Sequence, residues 1–204
     1  MWQYLVLLIY LKNIKSNIDG LNLEWQYFFA YNADFDLTSE TIDGIYSKVL
    51  NRTYSTNGMK GRLTAMSIGD TPLASYSYDA AGRVSGINNV SFGYLANSSL
   101  LATVTRPNNV NTTWSYEANR NLVTGVENKL NNTVISNYAY TNDALGRRTA
   151  MARSSSVFTA EDTLSYSYND RSEVTGATSN AANTIHNYAY SFDNIGNRLT
   201  ANLD

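Results

Sequence analysis

The sequence predicts an all-β protein, a curved antiparallel sheet assembled from stacked β-hairpins. Three observations carry that prediction. Sixteen tyrosines stand against six phenylalanines in 204 residues, and a Tyr- and Thr-rich, charge-poor composition favours strands over helices. The tyrosines recur as aromatic-x-aromatic pairs. Behind those pairs the same turn-forming residues return.

The first 26 residues stand apart as an atypical apolar segment, and residues 27–204 form the repeat array. The run Trp2 to Leu11 is about half the length of a membrane span. It lacks a basic start and a small-residue cleavage site, which argues against a signal peptide. A buried strand or short helix is the expectation, with no membrane partner.

Faint copies of the repeat open the array around Phe29-Ala30-Tyr31 and Tyr54-Ser55-Thr56. The full pairs follow: Tyr76-Ser77-Tyr78, Phe92-Gly93-Tyr94, Trp114-Ser115-Tyr116, Tyr138-Ala139-Tyr140, Tyr166-Ser167-Tyr168 and Tyr188-Ala189-Tyr190. Their first members lie 16, 22, 24, 28 and 22 residues apart, a spacing that marks one supersecondary unit per repeat. Tyr78 leads to Asp79-Ala80-Ala81-Gly82-Arg83, Tyr140 after two residues to Asp143-Ala144-Leu145-Gly146-Arg147, and Tyr190 through Phe192 to Asp193-Asn194-Ile195-Gly196-Asn197-Arg198. Worn copies follow Tyr116 and Tyr168, and Gly61-Arg62 keeps the second half only.

Each unit reads as a hairpin. Aromatics at i and i+2 share one side of a strand. The aspartate closes a turn through its own side chain, and the glycine supplies a positive φ. Arginine and an apolar residue begin the returning strand. Asn88-Asn89, Pro107-Asn108-Asn109, Asn131-Asn132 and Asn180 to Asn183 are the turns between units. Isolated hairpins are marginal in water, so the units must stack edge to edge, with tyrosines lining one face and Ser, Thr and Asn the other.

The motif Tyr-x-Tyr-Asp-x-x-Gly-Arg-apolar, fullest from Tyr76 to Ile87 and again from Phe192 to Leu199, resembles the YD repeat of bacterial RHS and wall-associated proteins, teneurins and insecticidal toxin complexes. The resemblance covers about residues 50–204. It implies a ribbon of antiparallel strands forming a piece of a shell that encloses or presents a C-terminal toxin, secreted or at the cell surface. The motif residues are then structural: Tyr76, Tyr78, Asp79, Gly82 and Arg83; Tyr140, Asp143, Gly146 and Arg147; Tyr190, Phe192, Asp193, Gly196 and Arg198. The partners implied are the rest of a longer chain or its cargo. An Asp-Pro-x-Gly core motif is missing, and the sequence stops inside an expected strand, so a segment of a longer array is expected.

Composition excludes much else. A net charge of −2 leaves no electrostatic footprint for nucleic acid. The absence of cysteine removes disulfides, thiolate sites and thiol catalysis, and one histidine removes multi-histidine metal sites. His186 is expected to be a half-exposed strand residue rather than a catalytic base. Asp34-Phe35-Asp36 begins like a calcium loop, but Ser39 and Ile45 stand where glycine and glutamate are required. No catalytic residue, cofactor or metal site is expected, and no enzyme. The recurring Arg62, Arg83, Arg147 and Arg198 are expected to pair with the turn aspartates rather than form an anion ladder. The alternative function is a carbohydrate-binding module, because tyrosine faces stack on sugar rings.

Overall fold

The computed structural model describes residues 7–18, 21–43, 47–156, 162–180 and 187–203, with side chains from residue 26 onward. Among these residues there are seventeen strands and no helix. The chain divides into two units, Met1–Asn89 and Val90–Asp204. The first holds β1 (Leu7–Ile18), β2 (Leu21–Tyr31), β3 (Leu37–Asp43), β4 (Lys48–Tyr54), β5 (Leu63–Ile68), β6 (Thr71–Tyr78) and β7 (Val84–Ile87). The second holds β8 (Val90–Tyr94), β9 (Leu101–Thr105), β10 (Val110–Tyr116), β11 (Val123–Leu130), β12 (Thr133–Asn142), β13 (Arg148–Ser154), β14 (Asp162–Tyr168), β15 (Val174–Ser179), β16 (Tyr188–Phe192) and β17 (Arg198–Leu203).

Each unit is an antiparallel meander in which consecutive strands pair. The all-β, open architecture read from the sequence is therefore found. Among the described residues β1 pairs only with β2, and β17 only with β16. Part of the N-terminal apolar run, from Leu7 onward, lies in β1; residues 2–6 lie outside the described residues, as does His186.

Alternation sets the two faces. In β6 Tyr76 and Tyr78 are half-buried while Ser75 and Ser77 are exposed. In β16 Tyr188, Tyr190 and Phe192 alternate with exposed Ala189 and Ser191. Among the described residues the only buried apolar side chains are Val104 and Ala177. Stability must then come from many partly buried cross-strand pairs of about 0.2–1 kcal/mol each rather than from a central core.

The asparagines are placed by backbone conformation. Asn88, Asn109, Asn131 and Asn132 all have positive φ, which asparagine tolerates better than other side-chain-bearing residues. Asn131 and Asn132, at φ 49° and 71° between β11 and β12, form the two-residue turn whose twist matches a hairpin. The expected inter-unit turns at 88–89, 107–109 and 131–132 are present; of the fourth, Asn180 caps β14 by accepting the Thr163 N–H at 2.7 Å, and 181–186 lie outside the described residues.

Candidate functional site

Eight hairpin turns close the repeats among the described residues, and five of them, opening at Asn32, Asp79, Asp143, Asn169 and Asp193, share one five-residue design. At Asp79 the turn closes with the Gly82 N–H donating to the Asp79 carbonyl, 2.9 Å, and the Asp79 N–H to the Arg83 carbonyl, 2.9 Å. Gly82 has φ +78°, so a tight turn ends in a left-handed residue that bulges the returning strand. One Asp79 carboxylate oxygen takes the Arg83 N–H at 2.9 Å and the other takes Arg83 Nε at 2.7 Å. Asp143 repeats this with Gly146 (φ +82°) and Arg147, whose Nε lies 2.7 Å from the carboxylate.

The worn copy after Tyr168 keeps the geometry and changes the chemistry, whereas the one after Tyr116 is a six-residue turn closed by the Glu117 N–H and the Leu122 carbonyl. Asn169 replaces aspartate, Ser172 takes the positive φ of glycine at 63°, and Glu173 replaces arginine. Asn32, Phe35 (φ 63°) and Asp36 do the same at the start of the array. Asp36 therefore has a structural task, accepting the Asn32 amide at 3.0 Å, in the segment whose sequence opens like a calcium loop.

Register defines the repeat more sharply than sequence does. The last residue before the turn is Tyr31, Tyr54, Tyr78, Tyr94, Tyr116, Asn142, Tyr168 or Phe192. One sequence alignment is corrected here: Tyr140 matches Tyr76 rather than Tyr78, because Asn142 fills the place beside the turn. In the last hairpin Tyr190 and Phe192, the motif residues read from the sequence, hold those two places. Arg198 is not the counterpart of Arg83. Asn197 is, donating to Asp193 at 2.9 Å, and Arg198 stands one place further on.

At four hairpins the pre-turn tyrosine bolts the hairpin to the one before it. Tyr54 donates its hydroxyl to the Leu37 carbonyl (2.9 Å), Tyr78 to Leu63 (2.7 Å), Tyr116 to Leu101 (2.8 Å) and Tyr168 to Arg148 (2.6 Å). Every acceptor is the first residue of the previous hairpin's returning strand. This bond explains the preference for tyrosine over phenylalanine. Where the tyrosine is missing, Asn142 reaches back instead, giving its amide to Glu117 at 3.0 Å.

Arginines grip in the opposite direction. Arg62 donates to the Gly82 carbonyl, Arg120 to those of Asp143 (2.8 Å) and Ala144 (3.3 Å), and Arg171 to those of Asp193 (2.6 Å) and Asn194 (2.7 Å). Arg147 reaches Ser172 Oγ at 3.3 Å. Arg62 and Arg147 also lie over the next hairpin's tyrosine, Tyr78 at 5.2 Å and Tyr168 at 4.8 Å from the ring centroid. The expected arginine–aspartate pairing holds for Arg83 and Arg147. For Arg62 and Arg198 it does not, since Ser55 holds the aspartate position of the second turn and Arg198 stacks on Tyr190 at 5.4 Å. The forward grips of Arg120 and Arg171 join residues more than twenty apart, which the motif alone does not signal.

These contacts hold the turn carboxylates ionised. The Arg83 backbone N–H, then its guanidinium, lowers Asp79; for Asp143 partial burial works upward and the Arg147 bonds outweigh it. The Asn197 side chain lowers Asp193, the Asn142 amide lowers Glu117, and the Asn169 amide lowers Glu173. All five acids move the same way. Among the described residues no group of three metal-ligating side chains occurs.

Such a molecule is a β-hairpin repeat array in which tyrosine hydroxyls bolt four hairpins backward and guanidinium groups grip forward from four. Several solved structures with this fold carry TcdB2-TccC3. It aligns with TcdB2-TccC3 at a TM-score of 0.62 and 18% identity over 93% of this chain. TcdB2-TccC3-TEV and TcdB2-TccC3-Cdc42 give 0.61 at 18% and 16% identity, again over 93%. The chain spans only 11–12% of the length of those chains. At these identities the likeness is one of fold, and the YD-repeat resemblance read from the motif holds at that level. No family model matches the sequence, and no curated protein does.

Proposed function

We propose that the chain is a structural segment of a bacterial YD-repeat shell that encloses or presents a C-terminal toxin, secreted or at the cell surface, and that it carries no catalysis of its own. The observation that supports this best is the clamp: turn residues are spent on holding the next hairpin, so the site's product is an extended wall. The likeness to TcdB2-TccC3 supports the same reading, since that chain is many times longer. The carbohydrate-binding alternative needs free ring faces, and Tyr78, Tyr140, Tyr168 and Tyr190 each carry a guanidinium. Reading the genomic DNA on both sides of this sequence tests the proposal. Continuing hairpin repeats followed by an unlike domain are expected; flanks without repeats would overturn the shell. A glycan array with saturable binding would favour the module.

A further inference from the structure

At six of the eight turns the returning strand begins with leucine or valine: Leu37, Leu63, Val84, Leu101, Val123 and Val174. These side chains share the half-buried face with the aromatics. Arginine takes that place twice, at 148 and 198. The Arg148 guanidinium lies over its own hairpin's Tyr140, its Cζ 3.6 Å from the ring centroid, and its Nε is buried with no hydrogen-bond acceptor.

Elsewhere on this face the protein provides the counter-charge. Arg52 meets Glu40 at 3.2 Å, and Arg153 meets Asp162 at 2.7 Å. Arg148 alone of these three has no carboxylate among the described residues. A cation partly removed from water without an acid is unfavourable where valine serves in sister hairpins. Arg198 differs, since Glu173 lines the same open groove of about 650 Å³.

We propose that Arg148, stacked on Tyr140, is a binding site for the carboxylate of another polypeptide, an acidic residue flanked by apolar ones. A guanidinium whose face is held by a ring presents its outer N–H groups as a planar fork, which a carboxylate accepts in two parallel bonds. Beside it Met151 and Leu164 pair across β13 and β14, half-buried. Apolar side chains next to the acid cover that surface, whereas an acidic sugar would set hydroxyls against it. Tyr166, whose hydroxyl burial raises and the Arg148 charge lowers, lies within reach of that charge and reports on the site. The proposal stands independently of the shell.

The test uses the full chain and a synthetic acetylated peptide alternating leucine and glutamate, followed by tyrosine fluorescence and nuclear magnetic resonance. Saturable binding that perturbs Tyr140 and Tyr166 is expected, at least tenfold weaker for the glutamine version of the peptide. Arg148→Val installs the residue found at 84, 123 and 174; it should abolish the glutamate preference and melt no lower than the parent. Equal binding of the two peptides, or unchanged binding by R148V, overturns the site. A marked drop in the melting temperature of R148V overturns it too, by making Arg148 a structural residue. Tighter binding of an oligogalacturonate than of the peptide overturns the polypeptide assignment.

Discussion

Single side chains in this protein act through geometry that only one or two residue types supply. Gly82 is one. At φ +78° a branched side chain is strained, and a Cβ there would collide with the Arg62 guanidinium that grips the Gly82 carbonyl. Gly82→Val should cost about 1–2 kcal/mol from backbone strain alone; an unchanged thermal midpoint would refute the turn geometry. The pre-turn tyrosine is another. Tyr78→Phe keeps the ring and loses one bond to the Leu63 carbonyl, worth about 0.5–1.5 kcal/mol. Phe192→Tyr should recover a similar amount by supplying the hydroxyl that the last hairpin lacks. If the two substitutions shift stability in the same direction, hydroxyl bolting is not what distinguishes the position.

At the scale of the hairpin, the turn was legible where its chemistry is local. Asp79-x-x-Gly82-Arg83 announces a bulged turn because side chain, φ and closing bond all lie within five residues. The pairing of tyrosines was legible only in part: Tyr138-Tyr140 and Tyr188-Tyr190 imitate the motif, while register puts Asn142 and Phe192 beside the turn. Phe35 and Ser172 at positive φ were invisible, since neither residue type asks for that conformation. The forward grips were out of reach for a different reason, namely that they depend on which turns become neighbours.

The same hairpins predict a pH response. Asp79, Asp143, Asp193, Glu117 and Glu173 are all lowered in the folded state. Their contribution is fully present above the unfolded carboxylate range, about pH 4, and is lost as pH falls through the lower folded values. The melting temperature should therefore be level from about pH 7 to 5 and decline below about 4. Asp79→Asn supplies the residue that closes the turns at Asn32 and Asn169, so it should fold and show a shallower acid decline. A melting temperature that rises on acidification, or an identical slope in the variant, contradicts the assignment.

At the scale of the whole molecule, among the described residues each strand touches only its sequence neighbours within its unit, so no residue compensates for another at a distance. Stability in such an array is a sum of unit and nearest-neighbour terms. Asp162 is where that sum is most vulnerable. Its carboxyl, 4% exposed, takes Arg153 from β13 and Ser179 Oγ from β15, so one acid fastens three successive strands. Asp162→Ala leaves the arginine without its partner, at a cost near the lower end of the range for a broken buried pair, about 3 kcal/mol. Nearest-neighbour coupling dictates where that loss is felt. Amide exchange should accelerate in β13–β15 and from there toward β17, whose residues are exposed throughout, while β8–β11 keep the protection they have in the parent chain. Uniform acceleration across the second unit would mean that its ten strands unfold as one body and that nearest-neighbour clamps do not govern its stability.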